Sequence, residues 1–467
     1  MLNNEKKINN LFGVILLLSS TTGWYTLDFI GMNKFWIAFI LLSFYLSFLI
    51  IKYGYNYKDI LLNNSSTNKS ILKISIKNKF SNNKFFVILI IYLLWTSFTY
   101  LLNYTGIYTI LYMGKMWFII TIYIIMASVY LFICKDKRKF LKTISKYIFI
   151  LGSIHSFIAF YQLMFLDNNF LGLTITDWPS YNPASLYGNV NGLGSFLFIS
   201  IISGLYLLFI SNKYNKSILF LLVFQSYALY LTIARTSIVS LLVFVILSII
   251  GVLIYNPTIF KTKISVKFLL TFILANAIIF TFVTSKNFRN NLAFNLTHNE
   301  VYMSENERTA TEMFKEKNDK GVNNRQFIWK QVIKDSKEYM ILGDGLKYNI
   351  VSKINVREVI SEKSAGVTRI SYHNTLFRYF ASNGLIGLLI FLYLMAYMPI
   401  SLMITMVKNR KFDIKLFFII SFMAALFAYM QMEEIYIGEI GFMQLITLTT
   451  MSFAASELSH TVEDCKK

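Results

Sequence analysis

The sequence predicts an all-α protein that crosses a membrane about twelve times and carries one large hydrophilic segment late in the chain. Three observations predict it. Of 467 residues, 55% are hydrophobic and 15% are charged, with a mean hydropathy of +0.53, which is too apolar for a soluble domain of this size. The apolar residues collect into runs close to the roughly 20 residues that a helix needs to span about 30 Å of hydrocarbon. The basic residues lie between those runs on alternate sides, as the positive-inside rule requires.

The runs fall near 11–30, 35–51, 85–102, 116–134, 147–166, 191–210, 218–233, 237–255, 268–284, 378–400, 416–432 and 441–456. The first follows Lys6 and Lys7 but contains Trp24 and Tyr25 and lacks a small-residue cleavage site, so it is expected to be retained as a span. With the N-terminus inside, the cytoplasmic segments hold 26 of the 45 Lys and Arg; of the others, 15 belong to the single segment 285–372. The formal charge of +21 is therefore a topology signal and an attraction to anionic lipid head groups, and no nucleic-acid partner is expected. Residues 1–284 are expected to form nine spans, with 52–84 as a basic cytoplasmic linker. Residues 285–375 should form an external loop or cap, 376–456 three further spans, and 457–467 a cytoplasmic tail.

Several classes of function drop out. There is no P-loop, no dinucleotide-binding glycine turn and no cytoplasmic segment large enough for a nucleotide-binding domain, so no cofactor is expected. Cys134 and Cys465 make neither a disulfide framework nor a metal site.

The residues that could carry chemistry gather at the expected outer face. His373 and Asn374 stand where a polar, basic stretch containing Arg369 runs into a span. An imidazole there suits a general base that activates a hydroxyl; equally, His373 suits a helix start bonded to backbone. Arg235 occupies a turn of a few residues between two apolar runs. It either meets an anion, whose oxygens suit a guanidinium, or snorkels to head groups. Arg325 opens a stretch with Phe327, Ile328, Val332 and Ile333 near helical spacing, which predicts an amphipathic helix lying on the bundle. Residues 188–192, Gly-Asn-Val-Asn-Gly, put Asn189 and Asn191 at the start of the sixth span, where they could bond a polar head group or simply permit close packing. The adjacent carboxylates Glu433 and Glu434 need not converge, because neighbours on a helix point about 100° apart. His155 reads as an interhelical hydrogen-bonder rather than a proton relay.

In their order these stretches resemble the O-antigen ligase and O-antigen polymerase superfamily of membrane glycosyltransferases. The resemblance rests on Gly-Asn-x-Asn-Gly at 188–192, Ala234-Arg235-Thr236 between two spans, Arg325 ahead of Trp329, Gly343-x-Gly345, and His373-Asn374 followed by Gly384-Leu385-Ile386-Gly387. It covers roughly residues 150–400; the first Asn motif lacks the proline often found in the family.

The resemblance implies a GT-C-like bundle in a bacterial cytoplasmic membrane, with its active site facing outside. It implies a donor glycan on undecaprenyl diphosphate, a second lipid-linked glycan as acceptor, and a chain-length regulator and a flippase as candidate protein partners. His373, Arg235 and Arg325 would be catalytic, and Asn189, Asn191, Asn374 and Arg369 substrate-binding. No external Asp-x-Asp motif is present, and no metal site is expected. The expected reaction is polymerisation of repeat units into a capsular, exo- or O-antigen polysaccharide by inverting transfer. A ligase is the alternative within the family, and a transporter of lipid-linked oligosaccharides the alternative outside it.

Overall fold

The computed structural model describes residues 2–21, 39–52, most of 84–165, 169–170, 173–174, 183–211, 216–255, 272–281, 325–345 with positions 327, 331, 335 and 338 excepted, 372–408, 413–435 and 441–464, with a few isolated positions omitted. Its architecture is helical: α1 Leu2–Thr21, α2 Phe39–Lys52, α3 Lys84–Leu102, α4 Ile107–Tyr123, α5 Lys137–Phe165, α6 Val190–Ser211, α7 Lys216–Thr232, α8 Arg235–Tyr255, α9 Thr375–Lys408, α10 Ile414–Met430 and α11 Phe442–Asp464. A π-helical stretch, Ile124–Val129, continues α4 into Tyr130–Ile133. The extended structure among the described residues is a pair of two-residue strands, Asn169–Phe170 against Leu173–Thr174.

Helix occupies at least part of each of the twelve apolar runs. Five helical stretches among the described residues are long and apolar enough to cross a membrane: Lys84–Leu102, Thr109–Ala127, Lys137–Gln162, Val190–Leu208 and Thr375–Lys408. Four others are apolar but shorter. The exposed side chains say what surrounds them. On α3, Val87, Ile90, Ile91, Leu94, Phe98 and Leu101 are exposed at three- and four-residue intervals, and α8 repeats the pattern with Val239, Leu242, Ile246, Ile250 and Leu253. Apolar stripes of this length suit a lipid environment and would be an aggregation hazard in water.

The chain divides into two compact units, Met1–Leu42 with Asp136–Gly321, and Ser43–Lys135 with Val322–Lys467. In the first, Asp136 caps α5 by accepting the Lys139 amide at 2.9 Å, and α5, α6 and α7 pack together. Small residues set how closely they approach. A Cβ on Gly152 would stand 1.9 Å from Ser200 Oγ, so that crossing requires glycine. Polar groups also bridge these helices: Gln225 Nε2 donates to the Phe149 carbonyl at 3.0 Å and to Ser153 Oγ at 2.9 Å.

The second unit is organised by a break in α9. Gly384 has φ 67° and ψ −173° in the middle of an otherwise helical run. A regular helix would bond the Leu385 amide to the Ala381 carbonyl and the Ile386 amide to Ser382. Instead, Leu385 N donates to the Met340 carbonyl at 2.8 Å and Ile386 N to Ile341 at 3.5 Å. The two abandoned carbonyls accept from Asp344 N at 2.9 Å and Gly345 N at 3.0 Å. The turn Tyr339–Gly345 is thus spliced into the helix, and it satisfies all four groups that the break would orphan. Gly343 and Gly345 are in the left-handed region, with φ of 79° and 62°. A Cβ on Gly343 would lie 2.4 Å from Gly384 N, so the two backbones touch. α3 clamps the junction: Asn103 Nδ2 donates to the Gly343 carbonyl at 3.1 Å, Trp95 Nε1 to the Asn383 carbonyl at 2.8 Å, and Asn383 Nδ2 to Thr96 Oγ1 at 2.8 Å.

Two glycine substitutions should separate this junction from ordinary helix. Gly343→Ala places a methyl on backbone and in a positive-φ conformation that alone costs about 1–2 kcal/mol, so the thermal midpoint in detergent should fall sharply. Gly114→Ala adds a methyl to a helix where nothing lies within 4 Å, and should be neutral or stabilising by up to about 1 kcal/mol. Equal midpoints for the two variants would contradict the splice.

Candidate functional site

The site is built where α9 begins. Asn374 is its N-cap: Oδ1 accepts the amides of Leu376 at 2.8 Å and Phe377 at 3.2 Å. Its Nδ2 reaches across to the Gln431 carbonyl at 2.7 Å. Thr375 Oγ1 donates to the Glu433 carbonyl at 2.8 Å and accepts from the Ile435 amide at 2.9 Å. Residues 431–435, which follow α10, are therefore zipped to the start of α9. His373 lies between these fixed neighbours with φ 49°, a conformation that residues with a Cβ adopt rarely and at a cost of about 1–2 kcal/mol. Non-glycine residues held in this way concentrate at functional sites.

The two adjacent glutamates split their work. Glu433 holds Arg325 Nη2 on Oε1 at 3.1 Å, and its Oε2 stands 3.9 Å from His373 Nδ1. Glu434 holds Arg378 Nη1 on Oε1 at 2.5 Å and accepts the Tyr372 amide on Oε2 at 3.3 Å. Arg378 is nearly fully buried, whereas the His373 side chain is 38% exposed. Arg325 and His373 therefore lie toward an accessible surface, while the inner ion pair is structural support beneath them. Trp329 completes the wall: its Nε1 donates to the Tyr372 carbonyl at 2.9 Å, and its ring stacks on Phe377 at 5.4 Å. Ile328, Val332, Tyr372 and Ala381 form the apolar core that seats the Arg325 segment on α9.

Of the residues expected from sequence, Arg325 and His373 meet on one carboxylate, and Asn374 acts as the cap beside them. Arg369 lies outside the described residues. Arg235, Asn189 and Asn191 belong to the first unit. There, Asn189 Oδ1 accepts the Asn191 amide at 2.8 Å and caps α6. A Cβ on Gly194 would stand 2.3 Å from the Ala234 Cβ, so the Asn-rich helix start packs directly on the turn that carries Arg235. That turn is strained: Ile233, β-branched, has φ 52°. His155 is buried and bonds Ser185 Oγ at 2.9 Å between the Tyr187 and Phe196 rings.

Sequence reasoning set one feature aside and passed over another. Glu433 and Glu434 follow the end of α10 rather than standing within it, so the helical divergence argument did not apply to them. Arg378 carried a signal of its own: an arginine one turn inside a membrane-spanning helix, at the first position of its apolar run, is costly unless a carboxylate meets it.

The division of labour between the carboxylates has a measurable consequence. Glu434→Gln leaves Arg378 buried without its counter-ion and should destabilise by about 3–5 kcal/mol. Glu433→Gln removes a more exposed pair and should cost clearly less. Thermal unfolding of both variants in the same detergent tests this, and a larger loss for Glu433→Gln would reverse the assignment.

Residues 218–392 match the family model described as O-antigen ligase. The matched stretch includes Arg235, Arg325, Arg369, His373 and Asn374 and begins after Asn189 and Asn191. No curated protein matches the chain. With apolar helices on both sides of the spliced junction, the chain is similar to that family over the matched stretch and has the character of a multi-pass helical membrane protein.

Proposed function

We propose that this protein is a polysaccharide polymerase that joins oligosaccharide repeat units carried on undecaprenyl diphosphate at the outer leaflet of a bacterial cytoplasmic membrane. The observation that carries the reading is the meeting of Arg325 and His373 on Glu433, with the histidine side chain accessible. In the proposed step, a sugar hydroxyl of the acceptor attacks the anomeric carbon of the donor from the face opposite the diphosphate. The carbon–oxygen bond to the diphosphate breaks as the new glycosidic bond forms, so the configuration inverts. His373 takes the hydroxyl proton, and undecaprenyl diphosphate departs with both bonding electrons.

Each side chain has a physical reason for its part. A carboxylate beside Nδ1 favours the tautomer that carries the proton there, which makes Nε2 the acceptor for the hydroxyl proton. Arg325 offers five N–H donors, and one bond to Glu433 leaves the rest of the fork for phosphate oxygens. Arg235 is proposed to share that load, so the growing charge is met by guanidinium groups rather than by a metal. Asn189, Asn191, Asn374 and Arg369 are proposed to bind the glycan and its head group. A chain-length regulator and a flippase are the proposed protein partners. The second reading, transfer of a finished glycan to a lipid A core, is favoured by the description of the matching family as a ligase.

Purified protein given a synthetic undecaprenyl-diphosphate repeat unit should produce a ladder of longer glycans and release undecaprenyl diphosphate. His373→Ala should lower turnover by about 10²–10⁴, and Arg325→Ala by about 10²–10³, with both variants still monodisperse. Transfer only when lipid A core is added would make the protein a ligase. Translocation across vesicles without glycan extension would make it a transporter. Full activity of His373→Ala would remove the base.

A further inference from the structure

The splice at Gly384 fixes how deep one external segment reaches. Gly384 lies nine residues after Thr375, the first residue of α9, which at about 1.5 Å per residue is roughly 13 Å along the helix. α3 gives a second measure. Thr96, which bonds Asn383, is six residues before its end at Leu102, or roughly 9 Å. Along this length α3 exposes Phe98, Leu101 and Leu102, while α9 keeps Thr375, Arg378, Ser382 and Asn383 buried and exposes Leu385 at the junction. The turn Tyr339–Gly345 is bonded backbone to backbone at that level.

The turn's composition matches the depth. Approaching it, Lys330, Lys334 and Lys337 are exposed, with Ile333 the one large apolar side chain exposed among them in the described residues. Then the exposed residues change character within a few positions: Tyr339, Met340, Ile341 and Leu342 follow, with Met340 50% and Ile341 60% exposed. Gly343, Asp344 and Gly345 are buried against the helices. Cations at the rim followed by an apolar tip is the order expected of a segment that crosses from head groups into acyl chains. Non-helical backbone survives at such depth only where protein satisfies its polar groups. Here Gly343 N bonds the Tyr339 carbonyl at 2.6 Å, the Gly343 carbonyl accepts from Asn103, and the amides of residues 344 and 345 and the carbonyls of 340 and 341 are taken by the exchange with α9.

We infer that residues 339–345 form a re-entrant turn, and that Met340, Ile341 and Leu342 lie in the hydrocarbon of the bilayer, in contact with lipid acyl chains. The segment carrying Arg325 is thereby anchored to the membrane as well as to α9, which fixes the height of Arg325 relative to the lipid surface. The inference stands whether or not the protein is a polymerase, because it rests on depth and exposure.

The test uses the full chain with Cys134→Ala and Cys465→Ala, reconstituted in phosphatidylethanolamine–phosphatidylglycerol vesicles, with single cysteines introduced as Lys334→Cys, Lys337→Cys, Met340→Cys and Ile341→Cys. A membrane-impermeant maleimide should label positions 340 and 341 at least about tenfold more slowly than 334 and 337, because the reactive thiolate is disfavoured in hydrocarbon. A bimane fluorophore at 340 or 341 should be quenched more by a nitroxide on the lipid acyl chain than by one on the head group, and the order should reverse at 334. Two results overturn the inference: labelling at 341 as fast as at 337, or slow labelling without acyl-chain quenching, which would mean that protein covers the tip. Two tip positions guard against one variant failing to fold, and a monodisperse elution profile qualifies each.

Discussion

An exchange of hydrogen bonds at Gly384 is the constraint on which the second unit depends. Breaking a helix inside an apolar run exposes backbone donors and acceptors, each worth several kcal/mol when unsatisfied in hydrocarbon. The turn at 339–345 supplies complementary groups in register, so the break costs little, and the chain gains a fixed attachment between the Arg325 segment and α9. The glycines follow from this. Two backbones cannot touch if either carries a Cβ at the contact, and the turn cannot reverse tightly without positive φ.

The site inherits its geometry from the same junction. The core of Ile328, Val332, Tyr372 and Ala381 seats the Arg325 segment on the first turns of α9, and the splice holds the far end of that segment. Between them, the zip from residues 431–435 holds His373 in a backbone conformation that it would leave if either neighbour were released. Glu434 and Arg378 neutralise each other beneath it, so that Glu433 remains for Arg325 and His373. Order at this face thus comes from ion pairs and caps stacked on an apolar base, with the accessible imidazole at the top.

Much of this was legible in the sequence, and the remainder was hidden for definable reasons. Helix occurs at each of the apolar runs because hydropathy over a membrane thickness reports on the solvent of the helix, not on its partners. His373 stood out as an ionisable group where a polar stretch runs into an apolar span, and Arg325 as the first residue of an amphipathic stretch. Glu433 and Glu434 did not, because their value depends on a turn after α10 that no periodicity announces. Arg378 meets a carboxylate 56 residues away, and pairing at that range is invisible to local pattern. The glycines of Gly343-x-Gly345 and Gly384-Leu385-Ile386-Gly387 were noticed as spacing, but their physical reason, contact between backbones about 40 residues apart, exists only in three dimensions.

The splice also dictates an order of assembly. Its socket on α3, Trp95, Thr96 and Asn103, is synthesised well before the turn, and the turn before α9. When the first half of α9 leaves the ribosome, a scaffold already exists to receive it. A chain truncated between the turn and α9 would present four unmatched backbone groups at the membrane and give quality-control proteases a recognisable defect.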